Sequence, residues 1–109
     1  MISWSPVRPS RPGCPHRRLR RLLARELPHG VALLGASTLR PWASANFVGA
    51  RHLFPCSVAV GAVEALARAL NAHLGTVEFR LPGHIVADVA VEPAETPGDL
   101  RIEILTVED

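Results

Sequence analysis

The chain has 109 residues, enough for one hydrophobic core and too few for two. An apolar share of 48% with 20% charge is that of a folded globular chain, and no uncharged apolar run reaches the roughly 18 residues of a bilayer span. Seven arginines precede the first acid, Glu26, and the remainder holds five arginines against ten carboxylates, so a front end of +7 joins a body of −5.

Pro6, Pro9, Pro12 and Pro15 recur every three residues, the period of a polyproline II helix, with Arg8 and Arg11 between them. Residues 1–15 are expected to be a disordered Pro/Arg-rich arm ahead of a single domain over 16–109. A secretory leader is not expected. Glu26 and Pro28 separate the basic stretch from the apolar run 31–39, Arg40 interrupts the approach to Ala43-Ser44-Ala45, and the whole is too long for such a peptide. Two cysteines, Cys14 and Cys56, cannot build a disulfide framework, and a cytoplasmic location with reduced thiols is the expectation.

From His16 the period becomes helical. Leu19, Leu22, Leu23 and Leu27 share one face and Arg17, Arg18, Arg20, Arg21 and Arg25 occupy the rest, until Pro28, His29 and Gly30 end the helix. A stripe that short must dock to persist. Residues 31–34 read as a short buried strand, and 42–48 and 51–58 as a hairpin around Gly49-Ala50, with Pro55 placing the second strand at an edge or keeping it short.

Ser57 suits an N-cap for a helix over 58–74, and Gly75 suits a left-handed C-terminal cap. The helix carries little charge, so it sits centrally in the domain or forms half of a subunit contact; central burial is the reading taken here.

Period-two alternation marks the last third. Strands over 77–81 and 85–91 pair best through a three-residue loop, 82–84, which sets Leu81 opposite Ile85; a two-residue loop would set Leu81 opposite His84. The last strand is matched with Leu100 opposite Val91 and Ile102 opposite Val89, with a slip at Leu105 and Val107. That register aligns Glu78, Asp88 and Glu103 as an acidic row, with Arg80 and Arg101 as diagonal neighbours.

Catalytic signatures are sparse. His52 and Cys56 have the residue types of a thiol enzyme but lack an orienting third group, and Cys14 and His16, with His29 or His52, lack a recognised zinc spacing. No catalytic residue, metal or cofactor is assigned. Phe47, Phe54 and Trp42 would suit a base-stacking platform only if they faced outward together.

The expected architecture is an α+β domain: helix, two or three strands, helix and three antiparallel strands, with the helices on one face of a mainly antiparallel sheet. The expected function is that of a small non-catalytic interaction protein that can self-associate as a dimer or other homo-oligomer. Its contact residues would be Arg17, Arg18, Arg20, Arg21 and Arg25 on one side and Glu78, Asp88 and Glu103 on the other. Sequence-nonspecific binding of a nucleic-acid backbone through the arginines is the alternative, and a small enzyme or metal-binding protein comes third.

Overall fold

The computed structural model describes residues 14–59 and 61–109. Most of the expected arm lies outside them. The elements run α1 (His16–Glu26), β1 (Val31–Leu33), β2 (Thr38–Ala43), β3 (Val48–Val58), α2 (Val63–Leu74), β4 (His84–Pro93) and β5 (Asp99–Glu108). The α+β layout is as expected, with one antiparallel sheet in the order β1-β3-β5-β4. β2 extends the same edge as β1, because β1 pairs with the C-terminal end of β3 and β2 with its N-terminal half.

Alternation in β3 and β5 decides which face is covered. His52, Phe54 and Cys56 are buried together with Leu100, Ile102, Ile104 and Thr106. Leu19 and Leu23 of α1, Ala67, Leu70 and Leu74 of α2, and Val31, Phe79, Leu81 and Val91 complete this core. Each fully buried leucine contributes roughly 2 kcal/mol. That burial is what holds α1, since the helix is only 11 residues long and has no side-chain N-cap bond.

Several boundaries differ from the sequence expectation. The β2–β3 turn is built by Ser44 to Phe47, where Ser44 N–H donates to Phe47 O at 2.8 Å and Phe47 N–H donates to Ser44 Oγ at 3.2 Å. Gly49 lies inside β3 instead. A Cβ there would stand 1.9 Å from Thr106 O and 3.1 Å from Cε2 of Trp42, so glycine serves close packing rather than a turn. Helix α2 starts at Val63, because Ser57 and Val58 are taken up by β3, and Gly75 ends it with φ −65°, a right-handed rather than left-handed cap.

Residues 77–81 form no strand. Leu81 instead bridges His84 across a two-residue Pro82-Gly83 turn, with Gly83 at φ 79°. The mismatched pair that argued against this loop, Leu81 with His84, does form, but the pairing stops after that one bridge and the mismatch is not carried along a ladder. In β4 and β5, Val91 faces Ile102 and Pro93 faces Leu100, two residues from the expected register. The irregularity falls in β4, between Val86 and Asp88, and not at Leu105. It turns Ile85 out to 53% exposure while Val89 and Val91 pack inward.

Candidate functional site

Helix α1 presents the main cationic surface. Its apolar side is anchored by Leu19 and Leu23, which leaves Arg17, Arg18, Arg21 and Arg25 exposed. Arg20 is half-buried and donates from Nη2 to Leu34 O at 2.6 Å, while Arg18 donates from Nε to Arg80 O at 2.8 Å. These bonds fix the helix to the chain on either side without neutralising charge. Among the described residues, none of the five arginines has a carboxylate partner. The nearest acid in sequence, Glu26, accepts instead from His73 Nε2 of α2 at 2.9 Å.

Arg17, Arg18 and Arg21 line a recess of about 340 Å³ together with Cys14, Pro15, Leu81 and Pro82. The recess lies at the N-terminal end of α1, which has no acid in its first turn and no side-chain cap. First-turn amides without a side-chain cap among the described residues, and the positive end of the helix dipole, therefore add to the guanidinium charge.

The acidic half of the expected site is not assembled. Glu78 is exposed on the connection before β4, outside every strand. Residue 103 is crossed by Ala90, and Asp88 by Leu105. Glu103 accepts from Arg51 Nη1 at 2.6 Å, and Glu92, beside it on the same face, accepts from Arg101 Nη2 at 2.7 Å. Exposed pairs of this kind are worth at most about 1 kcal/mol, but they remove net charge from the face. The register shift is the cause: moving β4 by two residues sets Ala90 in place of Asp88 opposite Glu103, and Leu105 in place of Glu103 opposite Asp88.

The thiol pairing also dissolves. His52 and Cys56 lie on the same face of β3 with Phe54 between them, and the Cys56 thiol is fully buried, pushed up to about 11 chiefly by desolvation. A neutral buried thiol is a poor nucleophile. Of the three aromatics considered for stacking, Phe54 is fully buried and Phe47 is 56% exposed on the β2–β3 turn, so no shared platform forms.

Sequence reasoning missed an imidazole pair formed by a fully buried His52 and a half-buried His16. His16 Nδ1 lies 2.9 Å from His52 Nδ1, His16 Nε2 lies 3.1 Å from Ser37 Oγ, and His52 Nε2 lies 2.9 Å from Thr106 Oγ1. Both rings stack with Phe54, at centroid distances of 5.2 Å and 6.3 Å. Desolvation first, then the nearby Arg20 charge, lowers the His16 pKa; desolvation, then His16 and His84, lowers that of His52 to about 4. The available signal was alternation, which sets His52 on the apolar side with Phe54 and Cys56.

Among the described residues no helix is long and apolar enough to cross a membrane, and no group of three histidine, cysteine, aspartate or glutamate side chains could hold a metal ion. No family model, no curated protein and no solved structure matches this chain.

Proposed function

We propose that the protein is a non-catalytic interaction protein that holds an acidic partner against the arginine face of α1. One observation carries the reading: Arg17, Arg21 and Arg25 stand exposed at four-residue spacing on a helix whose other side is locked in the core, with no carboxylate partner among the described residues. Four residues advance a helix by about 6 Å, so the three charges form one row along a rigid support. Guanidinium groups in such a row can each engage a carboxylate or phosphate through two parallel hydrogen bonds. Both cysteines are free, which accords with a cytoplasmic setting.

A second reading is backbone binding of nucleic acid. It is favoured by the same arginine row and by the recess at its end, which together suit phosphates without base recognition. Fluorescence anisotropy with labelled polyglutamate and with a mixed-sequence oligonucleotide, each at low and moderate salt, tests both. Binding of polyglutamate with a salt-dependent affinity supports the first reading. Binding of the oligonucleotide alone transfers support to the second, and binding of neither ends both.

A further inference from the structure

Both helices pack on one side of the sheet, so among the described residues its other face has no covering layer of secondary structure. Register places Arg40, Arg51, Leu105 and Asp88 in one transverse row across β2, β3, β5 and β4. The neighbouring row is Trp42, Gly49, Val107 and Ile85. Arg51 is engaged by Glu103 and Arg101 by Glu92. Arg40 and Asp88 are exposed at opposite ends of one row, on the two outer strands, and neither has an ion-pair partner among the described residues.

That arrangement is self-complementary. A two-fold axis lying between two such faces and running along the strands carries β2 of one copy onto β4 of the other. It sets Arg40 against the second copy's Asp88, and Asp88 against its Arg40. The same rotation brings Trp42 against Ile85, which is 53% exposed. Isologous contacts need this property, since each patch must fit its own rotated image. Four strands of 6, 11, 10 and 10 residues at about 4.8 Å spacing give roughly 600 Å² per face, or roughly 1,200 Å² in all, the lower bound of a stable interface.

We infer that the uncovered sheet face is the contact surface of a two-fold homodimer, with reciprocal Arg40–Asp88 pairs at its two margins. The dimer is a sheet-on-sheet sandwich. Its helices lie on the outside, so the two arginine faces of α1 point away from each other and remain accessible. Self-association is a sequence expectation that the anion-binding reading proposed above does not require; this surface is separate from α1, and its failure leaves the anion-binding claim standing.

Sedimentation equilibrium from micromolar to near-millimolar protein tests it, using wild type, Arg40→Asp, Asp88→Arg and an equimolar mixture of the two variants. Each single reversal places like charges at both margins and weakens association roughly tenfold or more. The mixture forms a heterodimer in which both margins again carry opposite charges, and dimer mass returns. A chain carrying both reversals also dimerises as wild type does. Far-ultraviolet circular dichroism of each variant accompanies the runs, and the double variant decides the question if a single one is misfolded. A wild type that stays monomeric overturns the inference, as do single reversals that dimerise unchanged. Failure of both the mixture and a natively folded double variant to recover dimer mass overturns it too.

Discussion

His16 and His52 meet nitrogen to nitrogen, with Nδ1 atoms 2.9 Å apart, so one ring carries its proton on Nδ1 and the other does not. One tautomer satisfies every contact. The Thr106 hydroxyl donates to Ala50 O at 3.5 Å and accepts from His52 Nε2, which leaves His52 Nδ1 as the acceptor and His16 Nδ1–H as the donor. Ser37 then donates to His16 Nε2, giving a chain of neutral groups from α1 into β5. A second proton on this pair would face donor against donor.

Stability therefore falls in mild acid. The folded pKa of His52, about 4, lies below its ordinary 6.5, so the unfolded chain binds the proton more readily between those values. The His52 contribution, on the order of 3 kcal/mol, is present in full above pH 6.5 and is lost progressively as pH falls toward 4. Urea unfolding at a series of pH values should show this decline. His52→Gln should lower stability at neutral pH by about 1–3 kcal/mol and flatten the profile across that window. An unchanged profile in the variant would assign the effect to other groups.

Gly49→Ala should be among the most damaging single changes. The added methyl group meets backbone, Thr106 O, at 1.9 Å, and the Trp42 indole at 3.1 Å. The strands must separate locally, at a cost above about 3 kcal/mol. Thermal unfolding measures it, and a variant that melts within a few degrees of wild type contradicts the packing described.

Asn71 protects a sheet edge. Its side-chain oxygen accepts from Val91 N–H at 2.9 Å, on the side of β4 that no strand pairs among the described residues. Asn71→Ala should cost about 1 kcal/mol and free a donor for pairing with another chain. Light scattering during prolonged incubation should rise faster for the variant than for wild type.

The two thiols should react differently. Cys14 is exposed, whereas Cys56 is fully buried with its thiol raised to about 11 and donating to Phe54 O at 3.7 Å. A disulfide reagent applied to folded protein should label one thiol per chain, and the second only after denaturant is added. Fast labelling of both would place Cys56 at the surface.

Leu19, Leu23, Leu70 and Leu74 made the two helices legible, and alternation made β5 legible, because burial on one side imposes those periods directly. The failures share a cause. Val77, Phe79 and Leu81 alternate as a strand does, yet Phe79 and Leu81 are buried as a connection laid on the core rather than as a ladder. Residue 49 is glycine for the sake of the Thr106 carbonyl, a contact distant in sequence that local turn rules cannot register. The acidic row failed for a comparable reason, since hydrophobic matching fixed which face each strand presents but left its register free by two residues. The arginine face was legible because a stripe of leucines implies its own opposite side.

The most direct test of the arginine face is one variant, Arg17→Gln, Arg21→Gln and Arg25→Gln together, compared with wild type in salt-dependent titrations against polyglutamate and the mixed-sequence oligonucleotide. These side chains are exposed and hold no carboxylate partner among the described residues, so the melting temperature should stay close to that of wild type. Binding should weaken strongly, and for the oligonucleotide the slope of log affinity against log salt should shrink by about 2 to 3, one increment per lost phosphate contact. Equal affinity and equal slope in a natively folded variant would contradict the claim that α1 is the contact surface.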